Sequence, residues 1–547
     1  MLKPVTCGLI LVLFAASALA NDQVRQRIEA LHAGYPVSAL GERLLARQAL
    51  SNFYEDRGYA LAWERVEDRN ALVAAIENVS ADGLIPTDYH FAALKELMSQ
   101  PLEDLQLEEL IDLELLLSDG FLMLGSHLLE GKVNPETIDV EWVANRRQRL
   151  LAPVLTSALQ AGDVAAAIDG LRPAHAGYHA LVQARKELAA ELSGQEWHLI
   201  ASGPAIKAGT RDERMPAIRS RLDLTVEGQE GDTAAQPDEM VYDPALVFAV
   251  KQFQARHGLE ADGVVGRATL AALNISPEMR LHQIDLNLER WRWLPDDLGE
   301  THVMVNIAAF ELKLVDRGQE ILRQRVIVGR PFRQTPVFSD RIRYLVINPT
   351  WTVPRKLMVQ DQLPEVIRDA SYLERLGFHV YQGWGANRQL IDPATVDWSS
   401  LSARNFPYQL VQQPGPLNAL GQIKFMFPNK FDVYLHDTPA RGLFGKTERS
   451  FSSGCIRVED PLELARLLLA SQADWSGERI QQTVASGQLQ TVLLKKPVPV
   501  HLEYWTAWAD EAGQVQFRND IYSRDQRLLA ALRTPSSAAV IAVASRQ

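Results

Sequence analysis

The stretch VMVNIAAFELKLVDRGQEILRQRVIV, residues 303–328, decides the character of the second half of the chain. Val303, Val305 and Ile307 recur at period two, the spacing that puts one set of side chains on one face of a strand. Phe310–Val315 and Ile321–Val328 then flank Asp316-Arg317-Gly318, a turn signal between two apolar runs, and read as a hairpin. Working outward, Arg343–Ile347, Ile423–Phe427 and Asp432–Leu435 read as strands, followed late in the chain by Leu489–Leu494 and Val500–Trp505. The strand pattern lapses between Trp351 and Gly415. That segment holds a helical piece near Gln360–Ala370 and an irregular region with Tyr381, Trp384 and Trp398, so residues 353–413 read as an insertion into a β domain spanning 281–510. Asp460-Pro461 supplies the N-cap and first-turn proline of a helix that follows.

Upstream, residues 21–200 carry helical periodicity. Leu110–Leu129 is dense in leucine and reads as a buried helix or a broken pair; His127, His175 and His179 read as structural. Residues 201–275 form a second unit. Ile218–Leu222 begins it, Glu227–Glu239 is a polar loop, and Ala245, Val247, Phe248, Val250 and Phe253 lie on one helix stopped by His257-Gly258. Turns at Asp262-Gly263 and Gly266 lead into a short helix, Ala268–Leu273. Residues 511–547 make a C-terminal segment whose end, after Thr534, is expected to be mobile. With 547 residues and domains of about 100–200 each, the expected class is multidomain α+β.

The formal net charge of −12 argues against nucleic acid as a partner, since such binding runs on clustered Lys and Arg. Residues 1–20 read as an export signal: Lys3, an apolar run Gly8–Ala16, then Ala18-Leu19-Ala20 ahead of polar Asn21 and Asp22. The rival reading is an uncleaved N-terminal anchor. Cleavage removes Cys7 and leaves Cys455 as the lone cysteine of an exported chain, either buried and inert or present for its chemistry.

Two segments point to chemistry: Tyr434-Leu435-His436-Asp437-Thr438-Pro439, and Ser452-Ser453-Gly454-Cys455-Ile456-Arg457-Val458-Glu459. A thiol needs a base to become a nucleophile, and an imidazole both accepts that proton and returns it to a leaving amine. Gly454 leaves the backbone approachable, and the N–H groups of Gly454 and Cys455 are candidate oxyanion donors. Asp437, or a nearby backbone carbonyl, would orient His436. Arg457 is a candidate partner for a substrate carboxylate or for Glu459 or Asp460. Tyr434 and Ser453 are candidate pocket residues. No metal-ligand spacing is present.

These residues resemble the YkuD-type L,D-transpeptidase catalytic domain, whose signature is a His, a gap of this size, then Ser/Thr-His-Gly-Cys. Ser453 stands where the commonest form has His, which is similar to the larger, YcbB-like periplasmic branch. Gln413–Gly421 and Lys424–Asn429 resemble that branch too. Phe253-Gln254, His257-Gly258-Leu259, Asp262-Gly263 and Gly266 look like a small peptidoglycan-binding domain, and residues 21–200 like the branch's helical scaffold domain. The resemblance implies a periplasmic enzyme without cofactor. Peptidoglycan tetrapeptide stems would be acylated onto Cys455 at their third residue, diaminopimelate, with release of D-alanine and cross-linking to a second stem. It also implies acylation by carbapenem-type inhibitors, cell-wall synthesis proteins as further partners, and a capping role for 353–413; Tyr381 and Trp384 read as filling the cap's own core rather than as stacking on substrate. Carboxypeptidase, wall-protein ligase and noncatalytic wall-binding scaffold are the alternative readings.

Overall fold

The computed structural model describes residues 6–139, 141–143, 146–191, 197–222 and 238–536, without the side chains of residues 6–17 and of Ala386. Most of the Glu227–Glu239 loop and the tail beyond Ser536 lie outside the described residues. The chain divides into two compact units: Met1–Asp139, Ala144–Asp296 and Thr506–Gln547 in one, Val140–Val143 and Asp297–Trp505 in the other.

The first unit is helical. Its opening helix, Thr6–His32, runs through the Ala20-Asn21 junction, and among the described residues no helix is long and apolar enough to cross a membrane. The Leu-rich segment is one unbroken helix, Leu107–Glu130, started by a capping box between Gln106 and Glu109. Along it, Glu114 accepts the N–H groups of Ala62 and Trp63, and Asp119 those of Leu45 and Ala46, so buried carboxylates fasten the flanking loops. His127 is buried beside the Tyr89 hydroxyl, 2.9 Å from its Nδ1. The sequence reading begins the β domain at residue 281, whereas the helix Pro277–Arg292 clusters as a whole with this unit. It buries Asp285, Glu289, Arg290 and Arg292 through ion pairs that the sequence pattern does not reveal, among them Arg292–Glu289 at 2.6 Å and Arg290–Asp525 at 2.5 Å.

Within the same unit, residues 200–222 and 238–273 close around a small core of Ile206, Met215, Ile218, Tyr242, Leu246, Val250 and Val265. Asp243 caps the helix Pro244–Arg256 by accepting from Leu246 N–H. Gln254 is buried and fully engaged: its amide donates to Asp262, the Val264 carbonyl and Thr269, and its oxygen accepts from Gly263 N–H at 2.8 Å. Gln254→Leu therefore leaves a buried N–H unpaired and is expected to cost about 1–3 kcal/mol. A thermal melt reads this; an unchanged midpoint would show the network to be dispensable.

The second unit is a closed ring of eight strands: β1 Thr301–Asn306, β2 Glu311–Asp316, β3 Gln319–Gly329, β4 Phe338–Ile347, β5 Ile423–Met426, β6 Leu435–His436, β7 Ile456–Val458 and β8 Gln490–Glu503. Hydrogen-bonded neighbours run β3-β7-β6-β5-β4-β8-β1-β2, and β2 pairs again with β3, closing the sheet. Closure removes exposed edges. β6–β7 and β8–β1 are parallel pairs, and Ser450–Ser452 adds to β3 outside the ring. The β2–β3 hairpin turns through Arg317 and Gly318, both at positive φ. Two late strands foreseen separately are one, β8, with a register irregularity between Leu493 and Val498.

The strand foreseen from Asp432 begins only at Leu435. Asp432 sits at φ +55°, and the Asn429 side chain folds the preceding turn by bonding the Phe427 and Val433 carbonyls. The insertion has its own core of Val353, Met358, Leu363, Leu373, Phe378, Val380, Phe406 and Leu410. Its helical piece is a π turn, Met358–Gln362, followed by Leu363–Arg368. Tyr381 and Trp384 do not fill this core. Alternation along Phe378–Gln382 turns Phe378 and Val380 inward, so Tyr381 faces outward under the Arg388 guanidinium. Trp384, between two positive-φ glycines, is 56% exposed. The tryptophans that pack there are Trp351, against Phe378, and Trp398, against Phe406 and Tyr408.

Candidate active site

Three short strands build the site. Ile423 and Phe425 on β5, Leu435 on β6, and Ile456 and Val458 on β7 are fully buried on one face. Period-two alternation sends their neighbours to the other. Register aligns them: Lys424 is opposite His436, His436 is opposite Arg457, and Leu435 is opposite Ile456. Lys424, Tyr434, His436, Cys455 and Arg457 therefore share one face. The Tyr434 and His436 rings meet edge to face at 5.6 Å, and the Lys424 ammonium lies 3.6 Å from the Tyr434 ring centroid.

Cys455 is presented by a braced turn. Ser452 Oγ donates to the Cys455 carbonyl at 2.5 Å and accepts from Gly454 N–H at 3.1 Å. Thr335 Oγ1 donates to the Gly454 carbonyl at 2.8 Å. Gly454 sits at φ +118°, a backbone state that side-chain-bearing residues rarely adopt. Its N–H is thus already engaged, and among the described residues the Cys455 N–H meets no acceptor, which makes it the freer of the two candidate oxyanion donors. Ser453 is exposed, and its hydroxyl is held by Arg333 at 3.0 Å. Arg333 also grips Asp361 and Gln360 of the insertion, at 2.8 and 2.9 Å, strapping that segment to the turn beside the thiol.

The thiol is half-buried, with Sγ 3.9 Å from the Asp432 carbonyl. Burial pushes its pKa above the usual thiol value, against the opposing pull of Tyr434, Lys424 and Arg457. His436 is buried, and burial with the Arg457 and Lys424 charges holds its pKa down to about 3. Its Nδ1 lies 2.5 Å from the Asp437 carbonyl. A carbonyl only accepts, so Nδ1 carries the proton and Nε2 keeps its lone pair. The orienting group is this carbonyl, not the Asp437 carboxylate. That carboxylate accepts from Gln422 and Thr438 N–H and pairs with Arg441 at 2.6 Å. At neutral pH both the thiol and the imidazole are uncharged, so a thiolate is made when the base takes the proton.

Arg457 pairs with neither candidate carboxylate. Glu459 is held by Arg325, at 2.9 Å from Nε, and Asp460 caps the helix Pro461–Leu468. Arg457 Nε is buried with no hydrogen-bond partner, leaving a guanidinium available to an anion on this face. Sequence reasoning passed over Lys424, because a lysine alternating with core residues reads as solvated; only its register opposite His436 singles it out. Among the described residues no cluster of three or more metal-type ligands occurs.

Known proteins match this chain in sequence. Residues 300–500 match the family described as L,D-transpeptidase catalytic domain, YkuD. Residues 48–184 match "Scaffold domain" and 228–273 "Putative peptidoglycan binding domain". A Haemophilus influenzae protein named "Putative L,D-transpeptidase" is 37% identical over 246 residues, covering 45% of this chain and 48% of that protein. The chain thus spans about half the length of this curated relative. Solved L,D-transpeptidases from Xylanimonas cellulosilytica and Stackebrandtia nassauensis are 15% and 13% identical, covering 55% and 56% of this chain and 99% and 97% of their own. Their TM-scores are 0.17 and 0.20. By sequence, residues 300–500, which hold the ring with Cys455 and His436, are similar to the YkuD L,D-transpeptidase catalytic domain, and residues 228–273 to a putative peptidoglycan-binding domain.

Proposed function

We propose that this chain cross-links peptidoglycan stems through a thioester on Cys455. The observation that carries the reading is the shared face of Lys424, Tyr434, His436, Cys455 and Arg457, in which a thiol, a neutral base with a free lone pair and unpaired cations converge. His436 Nε2 takes the thiol proton as Sγ attacks the carbonyl carbon of the stem's third residue, diaminopimelate. The oxyanion is met by the Cys455 N–H. The C–N bond to the terminal D-alanine breaks, and His436 returns its proton to that amine. The side-chain amine of a second stem then attacks the thioester, His436 accepts its proton, and the thiol is restored. Arg457 receives a substrate carboxylate. Tyr434 and Ser453 border the acyl site, and Gly454 gives the turn its shape.

No step here calls on a cofactor. Carbapenems, as strained acyl donors, acylate the same sulfur. The N-terminal segment directs export to the periplasm, where the stems and other wall-synthesis proteins are met. The test is mass spectrometry of the full chain with a disaccharide-tetrapeptide. A cross-linked dimer with free D-alanine, and an acyl adduct on the Cys455 peptide, is expected. Tripeptide without dimer would replace the reading with a carboxypeptidase, and neither product nor adduct with a wall-binding scaffold.

A further inference from the structure

A thiolate on this face needs a counter-charge, because the sulfur is withdrawn from water. Imidazolium, the usual one, is not present in the resting site and forms only as His436 takes the thiol proton. Burial and two neighbouring cations keep His436 neutral at working pH. The charged groups acting at the face are Lys424, Arg457, Arg330 and Asp432, with Tyr434 and His436 between them. Arg330 bears on Arg457 rather than on the sulfur, and Asp432 is an anion that opposes ionisation of Tyr434 while favouring the charged form of Lys424.

Lys424 is the unexplained group. It is largely withdrawn from water, and among the described residues it forms no ion pair or hydrogen bond. Its ammonium rests on the Tyr434 ring, 3.6 Å from the centroid, and that ring in turn packs edge-on to His436. A buried, unpaired ammonium is costly, and is affordable where something beside it becomes negative. Asp432 is one anion that favours its charge, and Cys455, which acts on it more strongly, is the group on this face that becomes negative in the reaction. Lys424 and Cys455 act on one another, each favouring the other's charged form.

We propose that Lys424 is the fixed cation that stabilises the Cys455 thiolate, with the Tyr434 ring as the platform that sets its position, so that His436 serves as base alone. This rests on Cys455 being the nucleophile. The platform is a cation–π contact, which holds the ammonium without neutralising it. Each turnover therefore needs no new charge brought in: the proton moves from sulfur to His436 Nε2, and the negative sulfur forms beside a cation already in place.

The test needs no substrate. Iodoacetamide alkylation of Cys455 in the full chain is followed across pH by mass of the Cys455 peptide, for the parent, Lys424→Met, Lys424→Gln and Lys424→Arg, with melting midpoints recorded alongside. Both neutral replacements are expected to move the alkylation midpoint up by about one pH unit or more, roughly a tenfold loss of rate below it. Arg is expected to restore most of the shift, an outcome that lost packing alone would not give. Neutral variants that fold and titrate at the parent's midpoint would overturn the proposal. A parent thiol that is never alkylated would instead overturn the nucleophile reading on which it rests.

Discussion

Cys455→Ser is expected to fold as the parent does and to lose acyl transfer by about 10⁴-fold or more. The fold should tolerate the change, since the sulfur's hydrogen bond to Asp432 is long, 3.9 Å, and the turn is braced through Ser452 and Thr335 instead. Chemistry should not. A base whose conjugate acid is held near pKa 3 by burial is weak, and it deprotonates the thiol only with the help of the cations on the same face. An alcohol is a much weaker acid than a thiol, and each extra unit of mismatch adds about 1.4 kcal/mol to that transfer. The time course of dimer formation reads the effect. A serine variant within tenfold of the parent would remove Cys455 from the mechanism.

The second large effect is loss of stability in acid. His127 and His257 in the first unit and His436 in the second all have pKa values lowered to about 3. Burial is the leading cause in each, reinforced by Lys132 for His127, Arg280 for His257 and Arg457 for His436. In the unfolded chain each takes a proton near pH 6.5. Below that the unfolded state binds protons that the folded state does not, so stability falls with pH, by about 1.4 kcal/mol per unit for each histidine between roughly pH 6 and 3. His90 works the other way. Burial opposes its charge, but Asp119 at 2.7 Å and Glu42 raise its pKa, so its contribution is complete at low pH and is lost as pH climbs past the raised value. Melting midpoints should drop steadily from pH 7 to 5. His127→Gln, which removes one of the unit's depressed sites alongside His257 and His282, should flatten that unit's dependence by about one proton. A midpoint that holds constant to pH 5 would mean these imidazoles gain protons without unfolding.

How much of this was legible in the sequence depends on the range of the forces involved. The β2–β3 hairpin was, because Asp316-Arg317-Gly318 sets its turn locally. The helix after Asp460-Pro461 was, because its cap is local too. Ring closure was not: Val303 pairs with Val500, and nothing near either residue announces the other. The buried ion pairs of Pro277–Arg292 were hidden for the same reason, since charged residues at helical spacing read as a solvated face. In the candidate site, His436 and Cys455 were singled out by residue type and by the glycine beside the cysteine. The Asp437 carbonyl that orients His436, and the ammonium over Tyr434, follow only from register and from which way a short strand turns its side chains.

The insertion leaves the ring and returns to it through a single doorway. Trp351 pairs with Gln412 and Thr352 with Val411, so the chain comes back beside the point where it departed, with partner Cα atoms about 5 Å apart. Topologically the whole segment is an overgrown hairpin loop between β4 and β5, with a private core that shares no strand of the ring. Such an element can be lengthened, exchanged or excised and the gap bridged by a tight turn, leaving the register that aligns Lys424 with His436 untouched. The ring and what covers it are therefore free to diverge at different rates, and a relative with a bare ring would keep the same chemical face under a different roof.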